Sequence, residues 1–142
     1  MNKHLKELIE LSKKDKAIDS YTPQLEAANK KVAKIEKKIK VAQDELDGLN
    51  ASIAENDARV QTFEEQLTML NEQLALNSKK AKEITTEKEM KALSLEEDIA
   101  KDKMTFANEE IERLQVMNET TRSLLEEETE NLVALQGESV EI

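Results

Sequence analysis

From Leu11 onward an apolar residue returns at every seventh position: Leu11, Ile18, Leu25, Val32, Ile39, Leu46, Ile53, Val60, Leu67, Leu74 and Ala81. A second series runs three residues behind it, through Tyr21, Ala28, Ile35, Ala42, Leu49, Phe63, Leu70 and Ile84, with Asn56 and Asn77 as its polar members. Two such series are the a and d positions of a coiled coil, held for about ten heptads. A strand cannot carry a seven-residue period, and a single globular helix rarely sustains one so long. Ahead of Leu11, Leu5, Leu8 and Ile9 fall on a separate stripe.

The frame fails after Ile84, where its next positions are Lys88 and Lys91. A new frame starts at Met90 and Leu93 and passes through Ala100, Met104, Ala107, Ile111, Leu114, Asn118, Leu125, Leu132 and Leu135. Between the frames lies "ITTEKE", in which Thr86 is followed three residues later by Glu89, a capping-box spacing that starts helices. A frame change with a helix-start signal predicts a chain reversal. The expected fold is all-α: a long antiparallel coiled-coil helical hairpin. The first helix is expected over about 2–84, the turn over about 85–87 and the second helix over about 87–142. Pro23 leaves the frame in phase, so it either kinks the first helix or, with Thr22 as cap, begins a new one.

A turn centred near residue 87 pairs positions whose numbers sum to about 174. Leu74 then faces Ala100, Leu67 faces Ala107, and Ala42 faces Leu132, large against small. Asn56 falls opposite Asn118, so two seam amides can satisfy each other and set the register. In this register Ile142 pairs near Val32, which leaves Leu5, Leu8, Ile9, Ile18, Tyr21, Leu25 and Ala28 without cover. Each buried Leu or Ile contributes roughly 1.5–3 kcal/mol. The expectation is therefore a second chain over this stripe, by self-association, or a polypeptide that continues for roughly thirty more helical residues.

Composition narrows function by exclusion. With 37% charged and 2% aromatic residues, the chain lacks the large apolar groups for an ordinary globular core. It has no cysteine, hence no thiolate metal site or thiol nucleophile. The single histidine, His4, is read as a surface residue, and clusters such as "EED" and "EEE" as solvated faces of charged helices. No Gly-rich phosphate loop and no nucleophile beside a base is present, so an enzyme is not expected, nor any cofactor in this chain. Nothing approaches the ~18 apolar residues of a membrane span. The opening "MNKHLKELIELSKK" lacks the apolar core of a secretory signal, so a cytoplasmic location is expected. Net charge of −10 argues against generic nucleic-acid binding. Lys30, Lys34, Lys37 and Lys38 form a local basic face, suited to an acidic partner or to RNA.

One surface feature stands out. Met69 and Leu76 in the first helix, and Leu95, Ile99 and Phe106 in the second, are apolar but off the seam. They read either as an apolar flank below the tip for a protein partner, or as the sign of a local slip that turns Leu95, Ile99 and Phe106 inward.

The opening "MNKHLKELIELSKKDKAIDS" and the tip "EITTEKEMKALSLEEDIAKDK" resemble the coiled-coil half of the zinc-ribbon flagellar regulators of epsilonproteobacteria. The likeness runs from Met1 to about Gln115, at the end of "NEEIERLQ", and fades afterwards. It implies a long helical hairpin, binding to the sigma-54 factor of RNA polymerase and control of flagellar genes. It further implies a C-terminal zinc ribbon with two cysteine pairs, the part associated with messenger RNA. This chain contains no cysteine, so zinc binding is not carried over to any of its residues, and RNA binding is not carried over with it.

Overall fold

The computed structural model describes the backbone of residues 2–141 and the side chains of residues 3–11 and 21–140. Two helices account for nearly all of it: α1, Asn2–Ala81, and α2, Glu87–Glu141. The chain divides into two units, Leu46–Glu127 and Met1–Glu45 together with Glu128–Ile142.

In the unit Leu46–Glu127 the two helices run antiparallel on either side of the reversal. Their seam follows the heptads. Asn56, Val60 and Asn77 of α1 are buried, as are Leu93, Ala100, Ala107, Leu114 and Asn118 of α2. Ala100 and Ala107 are 2% and 1% exposed while Leu67, Leu70 and Leu74 are half-buried, as in a narrow seam that accepts a small residue beside a large one.

α1 ends at Ala81, about one turn before the expected boundary near residue 84. Its last carbonyls are taken by tight i→i+3 bonds: Lys82 N–H donates to Lys79 O at 3.3 Å and Glu83 N–H to Lys80 O at 3.0 Å. Residues 84–86 are irregular, so the reversal occupies 82–86 rather than about 85–87. Thr86 then starts α2. Its Oγ1 accepts from Glu89 N–H at 3.4 Å, and its carbonyl accepts the first helical bond, from Met90 N–H at 3.2 Å. Lys79 and Lys80 in the last turn of α1, with Glu87 and Glu89 in the first turn of α2, complement the helix dipoles.

In the other unit Ile35 and Ala42 are buried and Val32, Ile39, Leu132 and Leu135 are half-buried. Further toward the N-terminus, Leu5, Leu8, Ile9, Leu11, Tyr21 and Leu25 are all exposed. Ala28 is half-buried. Ile18 and Ile142, which belong to the sequence argument, lie outside the residues whose side chains are described. α1 passes through Pro23 as one helix, so Thr22 does not begin a new one. The proline forgoes one i→i−4 bond, and the helical bonds on both sides carry the chain across.

Candidate functional site

The heptad divides the surface of the Leu46–Glu127 hairpin into two flanks, and cross-helix contacts identify which residues share each. On one flank Arg122 reaches Asp57 at 3.9 Å. Its outward positions are polar, including Glu64, Asn71 and Ser78 on α1 and Ser94, Lys101 and Asn108 on α2. On the other flank Arg59, Gln66, Glu110 and Arg113 line a common groove beside Phe63 and Leu114. Arg113 holds Glu110 with Nη2–Oε2 at 2.7 Å, and this hydrogen bond, with the charges of Arg113 and Arg59 behind it, lowers the Glu110 carboxyl below its ordinary value of 4.5. The same bond raises Arg113.

This second flank carries the apolar residues. Met69 and Leu76, one heptad apart on α1, line a groove of about 620 Å³ with Gln66, Leu70, Gln73 and Lys103. Ile99 lines an adjoining groove that shares Leu70, Gln73 and Lys103 with the first. Phe106, one heptad after Ile99, sets its ring edge-on to Phe63, with centroids 6.2 Å apart and planes at 75°. Leu95 lies apart from these. It is exposed, lines neither groove, and occupies the heptad position farthest from the seam.

Of the two readings of these residues, the register slip is overturned. Leu95, Ile99 and Phe106 are 62%, 47% and 58% exposed, whereas Leu93, Ala100 and Ala107 are buried. Ala100 and Ala107 continue the heptad series of the buried Leu93 and Leu114, and Ile99 and Phe106 fall one position off it.

The structure brings Asn56 and Asn118 together. Asn56 Nδ2 donates to Asn118 Oδ1 at 3.1 Å, and Asn118 Nδ2 donates to Asp57 Oδ1 at 2.8 Å. Asp57 in turn faces Arg122, so a chain of polar contacts leads from the buried amides to the solvent. Asn118 is also the first residue of an "NET" glycosylation pattern, and its burial at 1% exposure closes it to any such modification in the folded hairpin. Asn77 differs from this pair: its Nδ2 is buried with no hydrogen-bond partner. The sequence marked Asn77 only as a polar interruption.

In the other unit Lys34, Lys37 and Lys38 line one groove with Val41, Ala42, Asn131 and Leu135, while Lys30 is exposed outside it. His4 is exposed, with Nδ1 at 3.9 Å from Glu7. Among the described residues no group of three or more His, Cys, Asp or Glu is placed to hold a metal ion. No helix among them is long and apolar enough to cross a membrane.

Fold and flank together define an all-α coiled-coil hairpin that presents one apolar side. Among solved structures the chain is similar to the HP0958 protein from Helicobacter pylori, at 32% identity and a TM-score of 0.71. The match covers 99% of this chain and 59% of that one. No protein-family model matches the chain, and no curated protein matches it.

Proposed function

We propose that this chain is the coiled-coil half of a non-enzymatic flagellar regulator, and that it binds a sigma-54 factor on the apolar flank near the hairpin tip. The observation that carries the reading is the asymmetry of the flanks. Met69, Leu76, Ile99 and Phe106 all stand on one side of the hairpin, whereas the opposite side exposes Met90 beside the turn and is otherwise polar at its outward positions. Apolar residues repeated at heptad spacing on one exposed side of a charged hairpin form a patch that a partner must cover. The resemblance of the N-terminus and tip to the zinc-ribbon regulators supports the choice of partner. The similarity to HP0958 over 99% of this chain supports the hairpin as its scaffold. Zinc belongs to the ribbon that the resemblance implies, and RNA contact is assigned to that ribbon rather than to the lysine face.

Retention of purified sigma-54 by the immobilised chain tests the proposal. Leu76→Glu and Ile99→Glu are expected to weaken retention at least about tenfold while far-UV circular dichroism stays unchanged. Retention that persists in both variants removes the flank from the reading, and no retention by the unaltered chain removes the partner.

A second reading, a structural coiled-coil oligomer, is favoured by the exposure of Leu5, Leu8 and Ile9. It predicts a concentration-dependent mass above 16.1 kDa in sedimentation equilibrium, lost in Leu8→Asp. A constant mass of 16.1 kDa for the unaltered chain rejects it.

A further inference from the structure

The tip flank leaves unused a second groove, built wholly within the unit that joins residues 1–45 to 128–142. It encloses about 560 Å³. One bank carries Lys34, Lys37 and Lys38, the floor is Val41, Ala42 and Leu135, and the opposite bank carries Asn131. Glu45 and Glu128 also line it.

Three features bear on what this groove holds. Val41 is 54% exposed, and it is the one large apolar residue off the seam between residues 28 and 45. The three lysines surround it within about two turns of α1, and the ion pairs formed among the described residues involve none of them. Across the groove α2 supplies the uncharged Asn131 together with Glu128, and α1 adds Glu45, so the three lysines outnumber the two carboxylates. The result is a cationic bank over an apolar floor. Its α1 side runs from Lys34 to Glu45, about 16 Å at 1.5 Å per residue, which matches three turns of a docked helix.

We infer that this groove binds an acidic amphipathic helix of a protein partner, its apolar side on Val41, Ala42 and Leu135 and its carboxylates on Lys34, Lys37 and Lys38. A nucleic acid suits it less well. The groove has no aromatic ring to stack a base, and Glu45 and Glu128 interrupt the continuous positive surface that a phosphate backbone follows. The inference is independent of the tip flank and of the identity of its partner.

Fluorescence anisotropy with a labelled synthetic helix of about 14 residues, Leu on one side and Glu on the other, supplies the test. The full chain is expected to bind this peptide, with affinity that falls as salt rises. Joint Lys34→Gln, Lys37→Gln and Lys38→Gln replacement is expected to weaken binding about tenfold, and Val41→Ser several-fold. Replacement of the same three lysines by Arg is expected to restore it, and Leu76→Glu at the tip to leave it unchanged. All these positions are exposed, and circular dichroism confirms that the helices persist. The inference is overturned if the acidic peptide does not bind, or if its Gln-for-Glu counterpart binds equally. It is also overturned if a single-stranded oligouridylate binds more tightly than the peptide, or if Val41→Ser has no effect.

Discussion

Two buried asparagines in the same heptad series have opposite energetic signs. Asn56 bonds Asn118, which in turn donates to Asp57, so that layer is satisfied in hydrogen bonds. Removing one partner strands the other: Asn118→Leu is expected to cost about 1–3 kcal/mol in urea unfolding. The buried Nδ2 of Asn77 has no bond to lose. Asn77→Leu is therefore expected to stabilise the hairpin by about 1–2 kcal/mol, through relief of an unmet donor and a gain in apolar burial. Opposite shifts in the unfolding midpoint are the signature, and a destabilising Asn77→Leu would sink this account. Position in the frame marked both residues as polar interruptions. Only the cross-helix partner separates them.

At the scale of an element, the ends and interior of each helix are governed by local chemistry. Thr86 caps α2, and Thr86→Ala is expected to cost about 1 kcal/mol. Gly48 lies well inside α1 and Gly137 near the end of α2; neither has positive φ, and a Cβ at either meets nothing within 4 Å. Replacement by Ala is expected to stabilise by about 0.5–1 kcal/mol each, read from thermal or urea midpoints. Five helical threonines, Thr62, Thr68, Thr105, Thr120 and Thr121, donate their hydroxyls to the carbonyl four residues earlier. This settles their polarity within the helix itself.

The Glu110–Arg113 pair adds a pH dependence of definite sign. The folded-state pKa of Glu110 lies below its ordinary 4.5, first because Arg113 donates hydrogen bonds to the carboxylate. Its contribution is complete above the ordinary carboxylate range and is lost as pH falls through the lowered value. Acidification also relieves the repulsion behind the net charge of −10, which pulls the other way for the chain as a whole. Comparison with Glu110→Gln isolates the pair. The stability difference between the two proteins is expected to be present at pH 7 and to vanish near pH 2; a gap that does not change with pH would reject it.

For the whole molecule, each unit carries its own surface. The hairpin Leu46–Glu127 presents the apolar flank, and the unit with residues 1–45 and 128–142 presents the lysine groove. If the two serve different partners, Leu76→Glu should affect sigma-54 retention alone, and the triple lysine replacement should affect the acidic helix alone. A variant that abolished both while circular dichroism held would reject that assignment.

Much of this architecture was written in the heptads. Their period demands paired helices, the loss of frame at Ile84 places the reversal, and Thr86 places the start of α2. Side chains repeated every seven residues lie on one helical stripe whatever the helix packs against, so the seam could be listed residue by residue. The sequence could equally list what lies off the seam: Met69, Leu76, Leu95, Ile99 and Phe106. Tertiary structure had to decide which of those belong together. Leu95 stands apart from the grooves, while Met69, Leu76 and Ile99 line grooves joined through Leu70, Gln73 and Lys103. Structure also decided that Ala100 and Ala107, rather than Ile99 and Phe106, enter the seam, and that the lysines frame a groove with an apolar floor. The division has one physical cause. Periodicity along a helix is a property of its own sequence, whereas a groove or a buried layer depends on the register of a second helix, and that register is set by the layers that fit.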